Sequence, residues 1–84
     1  MALQQTIKIV RKPEVLNTSG LSKTTLQNRI NDGLMPPPIP LGDRAVGFLE
    51  FEVQAVLAAM AAGKNKDEIR AVVTTLVNQR QQAA

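Results

Sequence analysis

The 84 residues carry a formal charge of +3 and contain neither histidine nor cysteine. Disulfides, thiolate chemistry and the usual zinc ligands are thereby excluded, and an 84-residue chain has room for one modest hydrophobic core. Phe48 and Phe51 are the only aromatic residues, so Leu, Ile, Val, Ala and Met must supply that core. Met1 to Thr6 is short and polar, unlike a signal peptide, and no apolar run reaches membrane-spanning length. A soluble cytoplasmic protein is expected, with no membrane partner.

In chain order, Thr6 to Val10 reads as a short strand, with β-branched Ile7, Ile9 and Val10 around Lys8. Pro13 suits the first turn of a helix, where its missing N–H costs nothing, and Glu14 to Asn17 continue it. Gly20 permits a tight turn. Ser22 is a good N-cap for a second helix over about Lys23 to Asp32, with Leu26, Ile30 and Leu34 marking a buried face and Gly33 a stop. Helix, glycine-containing turn and second helix make a helix-turn-helix.

Met35-Pro36-Pro37-Pro38-Ile39-Pro40 cannot be helical, because each proline removes a donor and restrains its predecessor. Ile39 and Leu41, then Val46 and Phe48, alternate on either side of Gly42-Asp43-Arg44, which predicts a β-hairpin. A hairpin placed directly after a helix-turn-helix is a wing. Glu50 to Ala62 is helical with Val53, Val56, Leu57 and Met60 at core spacing, and Gly63 ends it. Asn65 and Glu68 form a capping box for a last helix over about Lys66 to Asn78. Its apolar stripe is Ile69, Val72, Val73, Leu76 and Val77. Gln79 to Ala84 is polar and is expected to fray. The fold class is therefore mainly α with a small β-hairpin wing, a winged helix-turn-helix plus a C-terminal amphipathic helix. Residues 6–63 are expected to form the winged helix-turn-helix domain, and residues 64–84 to add a helix and tail to the same compact unit.

Charge is unevenly placed. Residues 1–49 hold six bases (Lys8, Arg11, Lys12, Lys23, Arg29, Arg44) against three acids, so they carry +3, while residues 50–84 hold four of each and are neutral. A one-sided basic footprint suits double-stranded DNA. In a helix-turn-helix the start of the second helix reaches base edges, which makes Lys23, Thr24, Gln27 and Asn28 the candidates for base readout. Lys8, Arg11, Lys12, Arg29 and the wing-tip Arg44 are candidates for the DNA backbone or minor groove. Glu50 and Glu52, two apart on a helix, point in different directions and are no catalytic pair. No Gly-rich phosphate loop or metal cluster is visible, so neither enzyme activity nor a cofactor is expected.

The ordered series Ile9-Val10-Arg11-Lys12-Pro13-Glu14-Val15-Leu16, Thr18-Ser19-Gly20-Leu21-Ser22-Lys23-Thr24-Thr25-Leu26, Gly33-Leu34-Met35-Pro36, Pro38-Ile39-Pro40-Leu41-Gly42 and Arg44-Ala45-Val46-Gly47-Phe48, followed by Glu52-Val53, resembles the AlpA family of prophage regulators. The resemblance covers about residues 7–62. It implies a winged helix-turn-helix related to excisionases and to the DNA-binding heads of MerR-type regulators. It also implies a transcriptional regulator, or a recombination directionality factor that bends attachment-site DNA for an integrase, acting in the cytoplasm at the nucleoid. Similar proteins often carry Tyr-Arg where this chain has Gln27-Asn28, and Trp where Phe48 stands. The first departure leaves the scaffold intact and puts the target sequence in doubt. Two other classes stay open at this stage: a protein-protein adaptor using the last helix, and an RNA-binding helical protein. The stripe Ile69, Val72, Val73, Leu76 and Val77 has two readings, packing onto Val53, Val56 and Leu57 in the same chain or joining two protomers into a homo-oligomer.

Overall fold

A computed structural model describes residues 7–82. A two-residue strand, β1 (Ile9–Val10), leads into helix α1 (Lys12–Ser19). Proline sits in the first turn of α1, which starts one residue ahead of Pro13 and takes in Lys12. The predicted strand over Thr6 to Val10 is shorter than expected, and Thr6 lies outside the described residues. Gly20 closes α1 at φ 74°, a left-handed conformation open to glycine at little steric cost, and its N–H donates to the Leu16 carbonyl at 2.8 Å.

Helix α2 (Lys23–Asn31) follows after three residues, Gly20 to Ser22. Its N-cap is Ser22, whose hydroxyl oxygen accepts from the Thr25 N–H at 3.1 Å. At the other end the Leu34 N–H reaches back to the Arg29 carbonyl at 2.8 Å and ends the helix at the predicted Gly33. Strands β2 (Ile39–Gly42) and β3 (Ala45–Leu49) form the predicted hairpin. The sheet is antiparallel in the order β1-β3-β2, with Val10 opposite Phe48 and Ile39 opposite Gly47. A bulge between Pro40 and Gly42 adds a residue to β2 beside the turn. Helix α3 (Glu50–Ala61) starts directly from β3, with Glu50 and Glu52 in its first turn, where negative charge is favoured.

Helix α4 (Lys66–Gln82) opens on the predicted capping box. The Glu68 N–H donates to Asn65 Oδ1 at 2.8 Å, and the Asn65 N–H to Glu68 Oε1 at 3.0 Å. The expectation that the chain frays from Gln79 is corrected, since the helix runs on to Gln82. The cause is Arg80, which is engaged by Glu52 and by the Pro37 carbonyl. Ala83 and Ala84 lie outside the described residues.

The core lies between the inner face of the sheet and the helices. Phe48 from the sheet shares one buried cluster with Val15 of α1, Leu26 of α2, Met35 beyond the end of α2, and Val53 and Val56 of α3. Ile69, Val73 and Leu76 of α4 are buried in this same core, while Val72 and Val77 are only half-covered. Leu57 and Met60 pack against the core without being fully buried; Ala59 and Glu52 occupy the inner positions of α3 instead.

The outer face of the sheet closes over Gly47. A Cβ at this position would lie 2.5 Å from Ile9 Cγ2, 3.0 Å from Leu41 Cδ1 and 3.3 Å from the Val10 carbonyl oxygen. The missing side chain is what lets β1 and β2 bring Ile9 and Leu41 together across the central strand. Gly47→Val should therefore destabilise the fold by about 1–3 kcal/mol. In a thermal melt followed by circular dichroism, Tm should fall by roughly 4–8 °C for each kcal/mol lost. An unchanged Tm would mean that the strands can part without cost.

Candidate nucleic-acid interface

Nearly everything that attaches α2 to the body lies on one side of it. Leu26 is 0% exposed, Ile30 is half-buried, and Lys23, Thr24, Gln27 and Asn28 are all exposed. These four share one face by helical spacing, and the Ser22 cap lies just before the first of them. Ser22 also donates its hydroxyl proton to Thr25 Oγ1 at 3.0 Å, so the start of the helix is tied by two local bonds.

Among the described residues, Gln27 is the one member of the quartet with a side-chain hydrogen-bond partner. Its Nε2 donates to Asn31 Oδ1 at 3.1 Å across one helical turn. Asn31 thereby fixes which way the Gln27 amide points and leaves Gln27 Oε1 free to accept. Sequence reasoning passed over Asn31, although its four-residue spacing from Gln27 was a readable signal.

The basic residues are placed less uniformly. Arg44 is exposed in the two-residue turn between β2 and β3, next to Asp43 at φ 40°. Leu41 and Val46, each 42% exposed, flank that turn. Arg11 is the exposed N-cap position of α1, and Lys12 is half-buried in its first turn. Lys8 is drawn to Glu50, with Nζ to Oε2 at 3.6 Å; both side chains are well exposed, so the pair is weak. Arg29 is half-buried on the flank of α2, and its buried Nε has no hydrogen-bond partner among the described residues. An unsatisfied buried donor is costly, so its guanidinium is the group of this set most in need of an acceptor.

Residues 8–58 match the family described as Prophage CP4-57 regulatory protein (AlpA). The chain belongs to the AlpA family. It is also similar to a protein of Enterobacteria phage P4 described as uncharacterized protein ORF88. The two are 37% identical over 59 residues, covering 70% of this chain and 67% of that relative. No solved structure matches the chain.

The AlpA match takes in β1, the helix-turn-helix, the wing and most of α3, and it stops short of α4. AlpA membership makes this protein a prophage regulator with a winged helix-turn-helix. Among the described residues no helix is long and apolar enough to cross a membrane. Three residues that sequence reasoning left without a role, one inside the AlpA match and two in α4, prove central to the architecture. Glu52 is 1% exposed and takes a bidentate guanidinium from Arg80, and Arg70 donates from Nε to the Asp32 carbonyl at the end of α2, at 3.0 Å.

Proposed function

We propose that this AlpA-family protein regulates a phage or mobile element by sequence-specific binding to double-stranded DNA. It acts there as a transcriptional regulator, a recombination directionality factor working with an integrase, or both. The reading places it in the cytoplasm, at the nucleoid. The observation that carries it is the outward face of α2. Lys23, Thr24, Gln27 and Asn28 stand in solvent on a helix that is anchored to the core through Leu26, with Ile30 half-buried beside it. Asn and Gln amides can pair in bidentate fashion with adenine, and Lys with guanine or phosphate. Arg44 on the wing, with Arg11, Lys12 and Arg29, supplies the backbone or minor-groove contacts, and Lys8 can join them by leaving Glu50.

The adaptor reading has less to stand on. The stripe it needs is largely used within the chain, because Ile69, Val73 and Leu76 are buried against the core. What α4 leaves open is a shallow groove lined by Ala71, Val72, Thr75, Leu76 and Gln79. From Ala71 to Gln79 there is no charged residue, and depletion of charge marks the centre of protein interfaces. A second copy fits this surface better than a charged partner does. Two chains of net charge +3 repel each other elsewhere, and this neutral face is where they can approach. Self-association is therefore proposed through the flank of α4 carrying Val72, with binding to repeated sites as its benefit.

Binding to duplex DNA should weaken steeply with salt. With about four phosphate contacts, log K should fall against log salt with a slope of roughly −3 to −4 per protomer. A titration with a slope near zero would remove the DNA-binding reading. Gln27→Ala and Asn28→Ala should each cost about 1–3 kcal/mol on the cognate site and little on random duplex, whereas Arg44→Ala should weaken both. Retention of full specificity by the Gln27→Ala/Asn28→Ala double variant would show that the reading face lies elsewhere. In sedimentation equilibrium at about 100 μM, a concentration that detects even weak association, the protein should exceed the monomer mass, and Thr75→Glu should return it to monomer. A monomeric parent that also fills paired sites independently would rule out self-association.

A further inference from the structure

Residues 32–38 join α2 to the wing, and they are poor at holding themselves. Three successive prolines, Pro36 to Pro38, have no N–H to donate, so the segment depends on other elements to satisfy its carbonyls. Helix α4 supplies two of those partners. Near its start Arg70 Nε donates to the Asp32 carbonyl at 3.0 Å, and near its end Arg80 Nη2 donates to the Pro37 carbonyl at 2.8 Å. Each arginine is itself held by a carboxylate: Arg70 by Asp67 at 3.2 Å, and Arg80 by Glu52 through Oε2 at 2.8 Å and Oε1 at 2.6 Å. The two arginines are ten helical steps apart in uninterrupted helix, a span of about 15 Å.

We propose that α4 is a splint that fixes the placement of the wing relative to the recognition helix, with Arg70 and Arg80 as positioning residues for DNA binding. The idea that placement matters for DNA rests on the function proposed above. A protein that reads DNA with two separate elements binds best when their spacing is set beforehand. If the linker is loose, ordering it consumes part of the contact energy of the second element. The two arginines touch the linker at its beginning and near its end, which are the points where a splint must grip. Of the two grips, that at Arg80 is the firmer. Its partner Glu52 is almost fully buried, and Arg80 itself is 21% exposed, whereas the Arg70–Asp67 pair stands in solvent.

The test has one arm without DNA and one with it. The chain has no cysteine, so spin labels at Thr24→Cys and Val46→Cys report the distance between α2 and the wing in the free protein. Double electron–electron resonance should give a narrow distribution in the otherwise unchanged chain. In Arg80→Ala it should be broader by about twofold or more, with smaller broadening in Arg70→Ala and Arg80→Lys, as expected for loss of preorganisation. In the DNA arm, carried out without labels, Arg44→Ala should weaken duplex binding by about tenfold in the parent and by less than about threefold when combined with Arg80→Ala, because a loosened wing has less to lose. A distribution of unchanged width in a folded Arg80→Ala overturns the proposal, and so does an Arg44→Ala effect of equal size in both backgrounds. Should circular dichroism show that Arg80→Ala does not fold, Arg80→Lys and Arg70→Ala decide it by the same width criterion. A parent that binds no duplex defeats the DNA reading alone, since the label distances still judge the splint.

Discussion

The carboxylate of Glu52, 1% exposed in the first turn of α3, sets a requirement that much of the chain meets. An ionised carboxylate stripped of water is expensive unless a cation with matching hydrogen bonds meets it. Arg80 does so with two bonds to the two carboxylate oxygens and a third to the Pro37 carbonyl. The hydrogen bond to Glu52 holds the Arg80 guanidinium above its ordinary pKa, against the opposing effect of burial and with the help of the carboxylate charge. Well-packed apolar residues could give comparable stability at such a site, so strength is a poor explanation for the pair. Geometry is a better one. A planar fork accepts few arrangements, and this one ties together α3, the far end of α4 and the proline linker.

With the frame held there, the outward face of α2 can be nearly free of structural duty. Nine residues are too few for a stable isolated helix in water. The Ser22 cap, the buried Leu26 and the Arg70 bond at the Asp32 carbonyl compensate at the start, middle and end of α2. None of those three uses the face carrying Lys23, Thr24, Gln27 and Asn28. Substitutions there can change what α2 presents to solvent without disturbing how it is held. This is why the Gln27-Asn28 departure from the Tyr-Arg common in similar proteins is compatible with an unchanged scaffold.

The features legible in the sequence are those whose cause lies within a few residues. Ser22 caps a helix starting at the next position, Gly20 ends one by its left-handed φ, and Asn65 and Glu68 satisfy each other three residues apart. The alternation of Val46 and Phe48 around Gly47 marked the wing for the same reason. What stayed hidden depends on partners far along the chain. Glu52 and Arg80 are 28 residues apart, Arg70 and Asp32 are 38, and Arg80 and Pro37 are 43. Without the first of these pairs in view, Gln79 onward is simply a polar stretch, which is why fraying was expected. The depth of Leu57 and Met60 was misjudged in a related way. Helical spacing identifies a face, whereas the approach of α4 decides which edge of that face is sealed.

The same long-range pairs sharpen the meaning of the charge asymmetry. In residues 50–84, Arg70 and Arg80 are bound to carboxylates of their own half of the chain, and they hold the linker besides. Of the six bases in residues 1–49, Lys8 alone is in an ion pair among the described residues, and that pair is exposed and long. Arg11, Lys12, Lys23, Arg29 and Arg44 keep their full charge for solvent or for a ligand. Formal counting therefore understates the contrast between the two halves. The arginines of α4 are structural cations whose field is largely cancelled locally, whereas those of the helix-turn-helix and wing are uncompensated. The uncompensated positive field of this AlpA-family protein therefore lies over the helix-turn-helix and the wing, and the arginines of α4 add little to it.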